Sequence, residues 1–179
     1  MRMSDQTKMA SVSRQKLIIT LLKDASSPIT GSEFAKKTNV SRQVIVQDIS
    51  ILKAKNEPIV ATSQGYIYLN SEKEDNLHQK VVVCNHSPDQ TLEELYLIVD
   101  HGVTVKDVKV EHAVYGDLTA SIRVSNRKEV EQFVKKIKET KASYLASLTG
   151  GIHLHTLEAD SISKIEAACK DLKKAGIMI

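Results

Sequence analysis

The sequence predicts an α+β chain in two parts: three short helices closed by a hairpin, then a split βαβ, ferredoxin-like sheet with helices on one face and an extra helix and strand. Three observations predict it. Capped helical runs lie on both sides of Asn39-Val40. Two extended runs flank Ser63-Gln64-Gly65. From Val81 onward, short apolar strands alternate with amphipathic helices.

The first dozen residues carry charge without an apolar core and read as a loose arm. A helix then runs from Ser13, its expected cap, to Ala25, with Leu17, Ile18, Leu21 and Leu22 on one stripe. Pro28 and Ile29 form a connection in which Ile29 is extended. Thr30 and Glu33 make a capping box for a helix that buries Phe34 and Ala35. Ser41 caps a further helix through Lys53, whose Val44, Ile45, Ile49 and Leu52 pack inward. The opposite face presents Arg42, Gln43, Gln47 and Ser50. Asn56-Glu57-Pro58 turns the chain into the runs 59–61 and 66–69, joined by the tight turn 63–65. Three helices followed by a hairpin make a winged helix-turn-helix over residues 10–70.

Residues 71–79 are polar, contain a single Leu and read as a linker; the second domain spans 80–179. Its expected elements are a strand at 81–84, a helix from Leu92 to His101, and strands 105–115 and 118–124 joined at Gly116-Asp117. A helix from Lys128 to Thr140, a strand at 151–158, a helix from Ser161 to Lys174 and a last apolar run, 177–179, complete it. Such a sheet leaves one face without helices, and a second subunit is the simplest cover for it.

The outward face of the second hairpin helix has the chemistry of a base reader. Arginine pairs with guanine and glutamine with adenine in the major groove, while Ser41 and Arg42 sit at the positive end of the helix, where phosphate binds. Thr62, Ser63 and Gln64 at the hairpin tip are neutral candidates for the DNA backbone. The bland alternative is a helical hairpin with a wet face. Charge favours the reader: residues 1–70 hold ten basic and five acidic residues, whereas residues 71–179 hold fifteen and seventeen.

In the second domain, His153 and His155 are two apart in a strand, so their imidazoles share a side with Cα atoms about 7 Å apart. Ile152 and Leu154 are then expected on the opposite, buried face. His86 ends the first strand and Glu94 opens the next helix, close enough to approach the same point. Three imidazoles and a carboxylate suit Zn²⁺, Ni²⁺, Fe²⁺ or Mn²⁺. Glu94 has a rival role in a capping box with Thr91, and Cys84 reads as core or as a further ligand. His112 reads as core or interface, and His101 as suited to a helix C-terminus.

No nucleophile elbow surrounds Ser87, Ser143 or Ser147, and Asp89 has no partner carboxylate, so no catalytic residue is assigned. Lys135, Lys136 and Lys138 read as a solvated face. No run of 18 apolar residues predicts a membrane span, and two distant cysteines predict no disulfide framework, in keeping with a cytoplasmic protein.

Residues 14–69 resemble the winged helix of the biotin repressor type. The segment carrying His86, Glu94 and His153-x-His155 is similar to the three-histidine (3H) domain. In this order the two resemble the niacin-responsive transcriptional repressors of Gram-positive bacteria and Thermotoga-like organisms. The resemblance implies a homodimer that binds double-stranded operator DNA near genes for NAD synthesis or niacin uptake, with nicotinic acid as co-repressor. It places a divalent metal on His86, Glu94, His153 and His155. The alternatives are a metal-dependent hydrolase or other enzyme of niacin metabolism with an accessory winged helix, and a protein-interaction module.

Overall fold

A computed structural model describes residues 8–69 and 77–179. The chain divides into two compact units, residues 1–71 and 72–179.

The first unit packs α1 (Ser11–Asp24), α2 (Gly31–Thr38) and α3 (Arg42–Ala54) against a hairpin of β1 (Ile59–Ala61) and β2 (Tyr66–Tyr68). Ile18, Leu22, Phe34, Ile45, Ile49, Leu52 and Ile59 form its core. The Thr30–Glu33 capping box is formed in full, and Asn39 ends α2 in the left-handed conformation. Ile29 bridges Tyr66 as a short third strand. Gly65 has φ +150°, and a Cβ there would lie 2.7 Å from the Ile29 carbonyl oxygen, so the hairpin closes only on glycine.

One boundary differs from expectation. α1 begins at Ser11 rather than at a Ser13 cap, and its N-cap, Ala10, makes no side-chain cap bond. The extra turn is held by polar contacts: Arg14, Gln15 and Ser11 all reach the buried carboxylate of Asp48 on α3. The expected arm is thereby shortened; its residues 1–7 lie outside those described.

The second unit holds a four-stranded sheet in the order β3-β6-β4-β5, antiparallel throughout. The strands are β3 (His78–Asn85), β4 (Thr104–His112), β5 (Gly116–Val124) and β6 (Ile152–Ala159). β3 thus begins inside the stretch read as linker, whose residues 71–76 lie outside those described. Helices α4 (Thr91–Val99), α5 (Arg127–Thr140) and α6 (Ile162–Lys174) cover one face over a core that includes Val82, Leu95, Ile98, Val105, Ile122, Leu157, Ile165 and Leu172. Both crossovers are split: β6 lies between β3 and β4, and β4 lies between β5 and β6. It is β6, not the hairpin strand β5 of a ferredoxin-like order, that fills the first gap. This sets Cys84 opposite His153 and Val82 opposite His155.

The β4–β5 turn is Ala113–Tyr115 rather than Gly116-Asp117. Gly116 takes φ +68° at the end of a three-residue loop, and the His112 Nδ1 accepts from the Val114 and Tyr115 N–H groups. Residues 177–179 run beside β3, with a bridge from Cys84 to Met178.

Candidate metal centre and nucleic-acid interface

On the first unit, Ser41 caps α3 by accepting from the Val44 N–H, and Arg42, Gln43 and Gln47 are exposed along the helix. The inward side of α3 is pinned by Asp48, which accepts from Gln15 Nε2 at 3.0 Å and Ser11 Oγ at 3.3 Å and pairs with Arg14. At the hairpin tip the Thr62 hydroxyl is engaged in the turn itself: it accepts from the Gln64 and Gly65 N–H groups and donates to the Gly65 carbonyl. Ser63 and Gln64 flank it and are half-buried.

In the second unit four side chains meet. His86 Nε2 lies 2.8 Å from Glu94 Oε2, while His153 Nε2 and His155 Nε2 lie 3.1 and 3.4 Å from Glu94 Oε1. The rings stand nearly perpendicular, with centroids 4.9 Å apart for His86 and His153 and 4.8 Å for His153 and His155. All four are buried on the helix-covered side of the sheet. This reverses the expected assignment of faces. Ile152 and Leu154 lie on the open side, because the covered side there holds the site rather than an aliphatic layer.

The hydrogen bonds settle which ring nitrogen holds the proton. Each Nδ1 donates to a backbone carbonyl, His86 to Ser87 at 2.8 Å, His153 to Gly151 at 2.8 Å and His155 to Asp107 at 2.7 Å. A carbonyl only accepts, so in the neutral rings every Nε2 turns a bare lone pair toward a carboxylate that also only accepts. Consistent with that conflict, neither His86 Nε2 nor His155 Nε2 has a well-aligned hydrogen bond. A divalent cation would resolve it, since three fixed imidazole lone pairs and one carboxylate make a borderline donor set, each ring already oriented by its carbonyl. Cys84 Sγ belongs to the same cluster: it, a Glu94 oxygen and an His153 nitrogen lie within 4.8 Å of one another. Burial raises the pKa of its thiol.

Protons can take the cation's place. Burial raises the Glu94 pKa, but the His155 charge and the three imidazoles set against its oxygens outweigh this and hold the carboxyl well below the ordinary 4.5. For His86 and His155 burial lowers the pKa, yet Glu94 overcomes it and lifts both above 6.5. A raised histidine stabilises fully below its unfolded pKa and loses that contribution as pH rises through the folded one. The depressed Glu94 contributes above 4.5 and loses it as pH falls. Metal-stripped protein is therefore expected to melt highest between pH 4.5 and 6.5 and at progressively lower temperature toward pH 8. Saturating Ni²⁺ or Zn²⁺ should remove the decline; a flat metal-free profile of melting temperature against pH would exclude this linkage.

Beside the cluster lies a cavity of about 240 Å³, walled by Leu95, Val108, Ile122, Phe133, Ile137 and Tyr144, with Glu94, His86, His153 and His155 at one side. Among its described lining residues there is no lysine or arginine. Glu94 is the one carboxylate among them.

Several contributors escaped sequence reading. The carbonyls of Gly151 and Asp107 orient two of the rings, and no side-chain pattern marks a carbonyl. Gly151 has φ +110°, and a Cβ there would lie 2.6 Å from the His86 carbonyl oxygen, so only glycine lets these two chain segments approach. Phe133 and Tyr144 could have been found as the aromatic residues flanking a loop that leads into the H-x-H strand. The rival capping role of Glu94 is not realised, since the α4 N-cap is Gln90 without a side-chain cap bond. His101 instead pairs with Asp171 at 2.9 Å, and Lys135 and Lys138 are exposed.

No described helix is long and apolar enough to cross a membrane. A model described as HTH domain matches residues 14–67, and one described as 3H domain matches residues 79–179. The chain is 55% identical over 178 residues to transcription repressor NadR of Bacillus subtilis (strain 168), a match covering 99% of each chain. It is 39% identical over 166 residues to probable transcription repressor NiaR of Thermotoga maritima, covering 93% of each. An uncharacterized protein of Methanothermus fervidus is 28% identical over 107 residues, 55% of this chain and 16% of its own length. Two domains in this order, over nearly the full length of both repressors, place the chain in the NadR and NiaR family of HTH and 3H domain proteins.

Proposed function

We propose that the chain is a transcription repressor that binds operator DNA as a dimer through its winged helix and takes nicotinic acid as co-repressor in the 3H domain, beside a divalent metal. Its targets are genes of NAD synthesis or niacin uptake. One observation supports this above the rest: an apolar cavity that opens onto three bare imidazole nitrogens and a carboxylate, in a chain whose first unit exposes Ser41, Arg42, Gln43 and Gln47.

His86, Glu94, His153 and His155 would hold the metal. When bound, it supplies the positive charge that the cavity walls lack. Phe133, Val108, Ile122, Ile137 and Tyr144 line the space that would take the flat faces of the pyridine ring. Contacts to DNA are assigned to Ser41, Arg42, Gln43 and Gln47 on α3, with Thr62, Ser63 and Gln64 at the hairpin. Repression requires that the effector bind better to the DNA-competent arrangement. The hydrolase reading finds less support, because Glu94 is the only carboxylate among the described lining residues and faces the imidazoles, leaving no second acid as general base.

The test is fluorescence anisotropy with metal-replete protein and a duplex selected by the parent chain from a random pool, at two salt concentrations, with and without nicotinic acid. Binding should weaken with salt and tighten at least about tenfold with nicotinic acid. Arg42→Ala should lose about 1–3 kcal/mol of DNA binding while retaining its metal. Insensitivity to salt would remove the DNA half of the reading; indifference to nicotinic acid would remove the effector.

A further inference from the structure

We infer that the Thr91 hydroxyl is the donor that holds the carboxylate of the aromatic effector in the cavity of the 3H domain, and so sets how tightly that class of ligand binds. The inference rests on the effector reading above and names a residue for it.

Thr91 opens α4 and is 9% exposed. A threonine hydroxyl on a helix ordinarily serves the backbone, either as a cap or by returning its proton to the preceding turn, and this one does neither. The N-cap of α4 is Gln90, without a side-chain bond. Elsewhere in the chain the second use is common: Thr20 donates to the Lys16 carbonyl, Thr38 to Phe34 and Thr140 to Lys136, each four residues back. The carbonyl four residues back from Thr91 is that of Ser87, and both of its lone pairs are taken, by His86 Nδ1 at 2.8 Å and by the Gln90 N–H at 3.0 Å. The bond that orients the His86 ring therefore leaves the Thr91 hydroxyl without its local acceptor. It has no hydrogen-bond partner among the described residues.

A buried hydroxyl with nothing to bond is a cost that a ligand can relieve. Thr91 lines the cavity of about 240 Å³ beside the donor cluster and also an adjoining one of about 320 Å³, which shares His86, Tyr144 and Ala146 with the first. It precedes Glu94 by three residues on α4, so the two side chains lie on one face of the helix. This placement selects the part of the ligand that it meets. Val108, Ile122, Phe133 and Ile137 are apolar and suit the ring, whereas an anionic group has to sit on the polar side, with Glu94 and the imidazoles. Of the hydroxyls that line the first cavity, Thr91 is the buried one; Tyr144 is half-buried and Ser143 exposed. A carboxylate oxygen only accepts, and the Thr91 O–H has a proton to give, which makes a charge-assisted bond.

The test is calorimetric titration of nicotinic acid into metal-replete, full-length parent, Thr91→Val and Thr91→Ser, with metal content and melting temperature measured before ligand is added. Valine keeps the shape of the side chain and removes the hydroxyl. Thr91→Val should bind nicotinic acid at least about tenfold more weakly, the loss of one hydrogen bond to a charged group, and Thr91→Ser should stay within about threefold of the parent. Without ligand, the valine variant should keep its metal and melt as high as the parent, because no bond of the fold has been removed. A valine variant that binds nicotinic acid as the parent does would overturn the inference, and so would a serine variant as weak as valine. A valine variant that melts well below the parent before ligand is added would also overturn it, since the hydroxyl would then be serving the fold. A parent that holds its metal but takes no nicotinic acid would remove the effector reading together with this one.

Discussion

Glu94→Gln is expected to abolish metal retention while leaving the metal-free fold intact. The substitution keeps the volume of a side chain that is 1% exposed and removes the negative charge that all three imidazoles share. Losing an outer-shell partner of a metal ligand typically costs about 10–100-fold in affinity, so losing a ligand together with its charge should exceed about 100-fold. The stability of the metal-free variant is the discriminating readout. An amide N–H₂ donates where the carboxylate could only accept, so it can satisfy a bare Nε2 lone pair that the parent leaves in conflict. Metal-free Glu94→Gln should therefore melt at or above the metal-free parent at pH 8 and show no fall between pH 6 and 8. Glu94→Ala should lose the metal too, but with a lower melting temperature, because it leaves a void ringed by polar nitrogens. Metal content by mass spectrometry after desalting, with the two melting profiles, decides it. A Glu94→Gln protein that retains metal at the parent level would show that Glu94 is not a ligand, and the centre would have to be rebuilt around Cys84 and the histidines.

Much of this site was legible because strands and helix starts have fixed geometry. Two histidines at i and i+2 must share a side, and a residue ending one strand must lie near one opening the next helix. What alternation could not tell was which side is covered. Ile152 and Leu154 are the more apolar pair, and hydropathy alone assigns them to the core. They face outward because the covered side at that end of β6 is occupied by the donor cluster. The β4–β5 turn was misplaced for a similar reason. Gly116 signals positive φ, but whether that residue sits in the middle of a turn or closes it depends on pairing that no local pattern displays. In the first unit, the caps gave the hairpin helices to within a residue, since Thr30, Glu33 and Ser41 act locally. α1 was read three residues short because its first turn is stabilised from another helix, through a carboxylate 34 residues away from Arg14.

That carboxylate gives the second large effect. Asp48→Ala is expected to destroy DNA binding without altering metal content. Asp48 is 1% exposed on the inward side of α3 and answers Arg14, Gln15 and Ser11 of α1, while Gln15 in turn accepts from Lys55 at the end of α3. Removing it leaves the largely buried Arg14 guanidinium without its counter-charge, with the Met9 carbonyl as its remaining described acceptor, and breaking a buried pair in this way costs about 3–5 kcal/mol. A unit of about sixty residues has little more than that in total stability, so α3 would no longer be held at a fixed angle to the DNA. Asp48→Asn keeps an acceptor for Gln15 and Ser11 but not the charge, and should fall between the alanine variant and the parent. Because 1–71 and 72–179 are separate compact units, the His86, Glu94, His153 and His155 cluster should survive both substitutions. Two transitions are then expected in calorimetry of the metal-loaded alanine variant: a lowered one for the first unit and an unshifted one for the second. A single unshifted transition, with DNA binding intact, would mean that Asp48 and Arg14 contribute nothing net and that the apolar core alone orients the reading helix.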